Sequence, residues 1–520
     1  MAAARIPDPP VTLVQEVEGR TRRRRFRILG PILLILMVLA ILAIANIWRL
    51  TTNEPVRYAN IGDHFKYGSI GSEPESGLPY WMWRALPIMF ENELGTDGLR
   101  VFGFLYEEGG DLPIGVSRRN YRGVELAWLN CAVCHTGTYT GEDGERHIVL
   151  GMPSNNLDFE GFVRFLFKGV EEKRLTPASV MDGMRRAGAH FGPVDWALYR
   201  FYVIPRVLKA LRRTREGLGP IMDQQVAWGP GRVDTFNPYK VIQFGMRLDD
   251  LDPNERHGVS DLPSIFLQRP RGDQHMDLHW DGDNDSLQER NLSAAIGAGV
   301  TERTVDHVAI KRIAEWLLDL RPPPSPYKAD SIKAVMGRGA YMRDCAGCHG
   351  YQAPDGYVFD GENIGRVTSI DLVGTDRGRL DSYTERLRNL QLATFFKDDP
   401  VYDFRQFKKT NGYANQPLDG LWLRAPYLHN GSVPTLRDLL NPPEERPIAF
   451  VRGDDRLDSA NGGFRAESCD PEVYFGPLSC FDTRQRDGGP DRGNRNIGHL
   501  YGTDLPPQEK EALLEYLKTF

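Results

Sequence analysis

Mainly α-helical, in two parts behind one membrane-length helix, is the fold class that this sequence predicts. The pentapeptide C-x-x-C-H occurs twice, as Cys131-Ala132-Val133-Cys134-His135 and as Cys345-Ala346-Gly347-Cys348-His349. The chain has 520 residues, too many for one ordinary core. Ile28 to Trp48 runs 21 residues without a charge. Apolar residues recur at helical spacing before the second pentapeptide and at the C-terminus.

C-x-x-C-H is the attachment signature of c-type haem. Two thiols at this separation can each form a thioether to one porphyrin vinyl group, and the adjacent His then lies under the iron as its fifth ligand. A zinc site would need further ligands at zinc-like spacing, and no third C-x-x-C exists. The predicted cofactors are therefore two covalently bound c-type haems. One is held by Cys131, Cys134 and His135, the other by Cys345, Cys348 and His349. Two of the six cysteines remain, Cys469 and Cys480, in a Gly/Pro/Asp-rich stretch. A disulfide stapling that loop is the natural reading, with two free thiols as the alternative. The disulfide requires an oxidising compartment.

Taken in order, the chain opens with a basic tail, residues 1–27, ending in Arg20, Arg22 to Arg25 and Arg27. The apolar run, residues 28–48, is long enough to cross a bilayer as a helix. Positive charge before it predicts a cytoplasmic tail and a translocated remainder. Ala43-Ile44-Ala45 resembles a cleavage site, so a removed signal peptide is the competing reading. Either way the bulk is expected outside the cytoplasm, where c-type haem is assembled. The expectation is a single-pass protein of the bacterial inner membrane with its haem domains in the periplasm. Residues 51–520 hold 56 Lys/Arg and 67 Asp/Glu, which argues against nucleic-acid binding.

Residues 50–130 are loop-rich. Tyr80-Trp81-Met82-Trp83 and Phe102-Gly103-Phe104-Leu105-Tyr106 are apolar runs without a clear helical period, walls of a haem pocket or simply core. Helices are predicted over 157–173, 176–187, 194–216 with a kink at Pro205, and 303–319. Arg321-Pro322-Pro323-Pro324-Ser325-Pro326 is a stiff linker and the best boundary. It divides a first, elaborated haem domain, residues 49–325, from a second, residues 326–520. A helix over 330–344 runs into the second motif, with Gly337, Tyr341 and Cys345 on one face. A final helix opens at Pro506-Pro507 and carries Leu513, Leu517 and Phe520 on one stripe. Residues 257–286, 350–420 and 441–497 read as long loops.

Function turns on the sixth position of each iron. Two protein ligands make an electron carrier, and an open face makes a catalyst that can bind O2 or peroxide. For the second haem the expected ligand is His499, just before the last helix, with His429 in its Pro/Gly-flanked loop as the reserve. His429 could instead bond a haem propionate or brace a neighbour. For the first haem, Met152 and His147 are near in sequence but neither has a distinctive context.

Terminal helices crossing beside a haem resemble the plan of class I cytochrome c, so the expected architecture is two class I cytochrome c-like domains with long loops. At the two motifs, at His279-Trp280-Asp281-Gly282 and at Ala425-Pro426-Tyr427-Leu428-His429-Asn430-Gly431-Ser432, the chain resembles the bacterial di-haem cytochrome c peroxidase superfamily. It looks closest to the branch containing the rubber oxygenase. The resemblance implies that the first haem is the reactive centre, that the second is the electron reservoir, and that Trp280 assists transfer between them. It also implies a distal acid, for which Glu289 and Glu302 are the nearby candidates, although a solvated carboxylate is the plainer reading of each. In the peroxidases the second haem usually has a Met ligand. His499 stands roughly in that place, and bis-His ligation lowers the potential relative to His/Met. The reading is a haem oxidoreductase, peroxidase- or oxygenase-like, served by a periplasmic redox partner protein or a quinol-linked donor and a small-molecule oxidant. The alternative is a non-catalytic electron-transfer cytochrome.

Overall fold

The computed structural model describes residues 12–471, 478–484 and 492–520. Of the basic tail, residues 1–11 lie outside the described part. Two compact units are present. The first comprises residues 1–54 and 120–124. Its helix α1, Thr12–Thr51, is continuous through Pro31. Within it Gly30–Thr51 is a 22-residue stretch of mean hydropathy 2.6, long and apolar enough to cross a membrane. Its apolar side chains face outward, Leu33 with 62% and Trp48 with 71% of the surface exposed.

The second unit comprises residues 55–119 and 125–520. Its helices are started by side chains that accept from otherwise orphaned backbone N–H groups. Asn60 caps α2, Ile61–Tyr67. Helix α3, Tyr80–Met89, corrects the reading of the Tyr80-Trp81-Met82-Trp83 run as lacking a helical period. Five of its ten residues are buried, so aromatic bulk masked the usual polar face. Asp158 caps α4, Phe159–Glu171. The helix read over 194–216 is present, and its helical type changes just before Pro205. α5, Pro193–Leu198, passes through a π-helical turn, Tyr199–Val203, into α6, Ile204–Met222. The π turn lies just before Pro205, whose missing N–H suits the start of α6. Ser286 caps α7, Leu287–Gly297, and Asp330 caps α8, Ser331–Asp344.

Helix α8 packs against the last helix, α9, Pro507–Leu517. They touch where Gly337 lacks a side chain, and a Cβ there would overlap the Ala512 carbonyl. Tyr341 is fully buried between them, its ring 5.1 Å from those of Tyr516 and Phe520. The same apolar cluster takes in Trp422, Leu513 and Leu517, and also Met152 and Phe266 from before the proline run.

The fold class expected from sequence is corrected here. The structure is mixed, 44% helix and 13% strand, and does not resolve clearly into two class I cytochrome c-like domains. Stretches read as loops contain short antiparallel strand pairs. Val367–Ser369 pairs with Gly412–Ala414, Arg232–Asp234 with Val259–Asp261, and Ala449–Arg452 with Ser479–Asp482. Strands of three or four residues are too short to display an alternating pattern. The last of these pairs carries the Cys469–Cys480 disulfide on Cys480.

Candidate haem sites

The first motif forms a tight turn, Cys131–Val133, held by Asn130. The Asn130 side chain accepts from the Ala132 N–H at 2.9 Å and donates to the Gly68 carbonyl at 3.0 Å. The second motif is a helical turn, Ala346–His349, directly after α8. Its His349 carbonyl accepts from the Tyr357 hydroxyl. All four motif thiols are unpaired. Burial pushes them up, Cys131 to about 11 and Cys134 and Cys345 to about 12.

Each proximal imidazole is held by one backbone carbonyl. His135 Nδ1 lies 2.9 Å from the Pro263 oxygen, and His349 Nδ1 lies 2.7 Å from the Gln416 oxygen. A carbonyl can only accept, so Nδ1 carries the proton and Nε2 keeps its lone pair for a metal. Burial lowers the pKa of both rings, His135 to about 4. Both are therefore neutral, as imidazole ligands must be.

His499 faces His349, with ring centroids 6.2 Å apart and planes inclined at 43°. Two imidazoles on opposite sides of one metal, each bound at about 2 Å with the ring centre roughly 1 Å further back, stand about 6 Å apart. The donor set and its spacing thus fit a haem iron between them. His499 is also pushed down to about 3 by burial, and its Nδ1 is buried without a hydrogen-bond partner. The backbone is forced into place to present this ring. His499 has φ +49° and Gly498 φ +74°, and Gly498 lies so close to Gly374 that no Cβ fits. The His499 N–H donates to the Val373 carbonyl at 2.7 Å. Buried Arg446 donates to the carbonyls of Asn496, Gly498 and His499 on this loop and to those of Leu439 and Asn441.

His429 is placed elsewhere. Its Nε2 lies 2.9 Å from the Tyr413 hydroxyl, the two rings stack at 3.9 Å, and its carbonyl accepts from Asp261. At His135 the neighbouring imidazole is His279, which acts on it electrostatically, and no ring pair at the 6.2 Å spacing is formed there among the described residues. His147 stacks on Tyr139 at 4.6 Å, and Met152 is enclosed in the cluster around Trp422. Arg290 sits beside the first motif and bonds only the amide oxygens of Gln268 and Asn291. Burial lowers its pKa to about 10, and it has no carboxylate partner among the described residues. It would suit a haem carboxylate.

Trp280 packs against the cluster of Ile370, Leu380 and Tyr413. Its Nε1 donates to the Asp261 carbonyl at 2.8 Å, two residues before Pro263. The preceding carbonyl, that of His279, accepts from the Gln416 side chain at 2.9 Å. A path of hydrogen bonds and intervening covalent bonds therefore runs from His349 through Gln416, the His279 carbonyl, Trp280 and Asp261 to Pro263 and His135. Glu289 is buried, and its carboxylate accepts from the N–H groups of Arg405 and Gln406 and from Asn284. Glu302 is exposed and accepts from the Phe396 N–H at 2.6 Å. Gln416, Arg446 and Arg290 had no signature in the sequence. The first two act on or through backbone carbonyls, and Arg290 shows only as an unpaired buried charge.

A family model described as RoxA-like, cytochrome c-like matches residues 412–451, the segment that holds Gln416, His429 and Arg446. The chain is 30% identical over 297 residues to the uncharacterized protein y4iM of Sinorhizobium fredii, covering 50% of this chain and 64% of that protein. It is 26% identical over 537 residues to the uncharacterized protein y4iJ of the same organism, covering 82% of this chain and 85% of that protein. The first match thus spans just under two thirds of its relative's length. The family match supports a RoxA-like cytochrome c relationship, which implies c-type haem and suggests a haem-containing redox protein.

Proposed function

We propose that this chain is a membrane-anchored periplasmic di-haem oxidoreductase. The site at Cys131–His135 reacts with peroxide or O2, and the site at Cys345–His349 relays electrons to it. One covalent haem belongs to residues 49–325 and the other to residues 326–520. A single observation carries the reading: His349 faces a second imidazole at 6.2 Å, and among the described residues no ring stands at that spacing from His135.

Haem bound at each motif supplies iron that cycles between oxidation states. His349 and His499 would together hold the haem of the second motif, an arrangement that would suit electron transfer. His135 would hold the haem of the first motif, where the reaction with the oxidant would occur. Trp280 and Gln416 lie on a path of hydrogen bonds and covalent bonds that connects His135 with His349. The N-terminal apolar helix holds the protein at the inner membrane, within reach of a quinol-linked donor or a periplasmic redox protein. An acidic balance over residues 51–520 disfavours nucleic acid as a partner.

The test is stopped-flow mixing of the fully reduced holoprotein with one equivalent of hydrogen peroxide. The reading predicts two phases, a fast spectral change at the haem without bis-His ligation followed by oxidation of the bis-His haem. Replacing Trp280 with Leu should slow only the second phase. Slow oxidation of both haems in one phase would instead identify a plain electron-transfer cytochrome.

A further inference from the structure

We propose that the surface formed by residues 194–213 seats on an anionic lipid bilayer. It would thereby fix which face of the haem-bearing unit meets the membrane. The proposal rests on reading Gly30–Thr51 as a membrane helix, and goes beyond that anchor to a second contact.

Four large apolar side chains stand out from this surface. Val194, Trp196, Phe201 and Tyr202 expose 60%, 47%, 66% and 60% of their area. Trp196 and Phe201 meet edge to face at 5.6 Å, and Tyr202 follows Phe201 directly in the chain. Soluble proteins seldom leave such patches open. The π-helical turn at Tyr199–Val203 builds this one. Tyr199, Val203 and Ile204 are buried, while the consecutive Phe201 and Tyr202 both face outward.

Cations border the aromatics. Arg200 lies 5.6 Å from the Phe201 ring and Arg206 lies 5.9 Å from the Tyr202 ring. Tyr202, Arg206, Lys209 and Arg213 follow at spacings of four, three and four, which is one stripe of a helix. Arg200, Arg206, Lys209, Arg212 and Arg213 have no carboxylate partner among the described residues. Residues 193–219 carry six Lys/Arg against two Asp/Glu, in a region of the chain whose overall balance is acidic. Aromatic rings flanked by unpaired Arg and Lys match the boundary between lipid headgroups and acyl chains, where rings sit at headgroup level and cations meet anionic lipid. A protein partner for this patch would be expected to bring carboxylates, and is the competing outcome of the test.

The experiment uses the full-length haem-loaded chain in vesicles of phosphatidylcholine with phosphatidylglycerol. A nitroxide is attached at Phe201→Cys, and a reference nitroxide at Val308→Cys, another exposed position. Accessibility to oxygen and to a water-soluble nickel chelate is measured at each, and intact haem spectra certify folding. The proposal predicts that the label at 201 favours oxygen over nickel, and that the label at 308 does the reverse. It also predicts that the triple change Arg206→Glu, Lys209→Glu, Arg213→Glu abolishes immersion at 201. A label at 201 as open to nickel as that at 308, or shielded from both reagents, would overturn it. So would immersion that survives the charge reversal. Alkaline carbonate extraction of the same vesicles reports on the anchor separately. A retained chain with a water-exposed label sinks the patch alone, and a released chain whose label was immersed sinks the anchor alone.

Discussion

Arg446 directs its guanidinium at the backbone and nothing else. It bridges the carbonyls at Leu439 and Asn441 to those at Asn496, Gly498 and His499. Burial lowers its pKa to about 10 and leaves it charged at neutral pH. Its role is to position the loop that presents His499. Replacing Arg446 with Met orphans several buried carbonyls and should cost on the order of 3 kcal/mol in denaturant melts. It should also move part of the second haem to a high-spin spectrum. Arg446→Lys keeps the charge but not the fork and should recover little of the low-spin signal. A low-spin spectrum untouched by either change would remove the positioning role. His499→Gly should convert the second haem fully to high spin, and an unchanged low-spin signal would point back to His429. The proximal residues were legible because C-x-x-C-H is a local pattern. His499 could be named as a candidate from its place before the last helix, and its ring faces His349. Arg446 and Gln416 were not, because a residue that works through distant carbonyls leaves no motif.

At the scale of elements, the helix pair α8 and α9 was readable from periodicity, since apolar stripes and a glycine on one face suffice to place a crossing. The crossing tolerates no side chain at Gly337. Gly337→Ala should destabilise the protein by about 1–3 kcal/mol through overpacking, measured as a lower denaturation midpoint. A wild-type midpoint would mean that the helices sit further apart than described. Gly498→Ala combines a positive φ with overlap on Gly374 and should loosen the His499 loop in the same assay. The strand pairs were not readable. Val367–Ser369 against Gly412–Ala414 is held by cross-chain pairing of residues 43 or more apart, and three residues show no alternation. That is also why a mainly α fold was expected where a mixed one is found. The run Tyr80 to Trp83 misled for a related reason, since a helix buried on most sides loses its amphipathic signal.

For the whole molecule, the two motifs share a plan and differ in one respect. Both proximal imidazoles donate Nδ1–H to a carbonyl, and those carbonyls are linked through Trp280 and Gln416. Gln416→Leu removes one link and should slow electron transfer between the haems while leaving both absorption spectra unchanged. Equal transfer rates in pulse radiolysis would exclude this path. The difference is that His499 faces His349 at 6.2 Å, while among the described residues no ring stands at that spacing from His135. On the proposed function that asymmetry would separate a catalyst from a carrier, and it depends on the packed structure rather than on any motif. Carbon monoxide reads it directly. The difference spectrum of the fully reduced protein should show a Soret shift equivalent to one haem of two, and His499→Gly should raise it to two. Absence of a shift in the unmodified protein would mean that both irons hold two protein ligands, and would contradict the account.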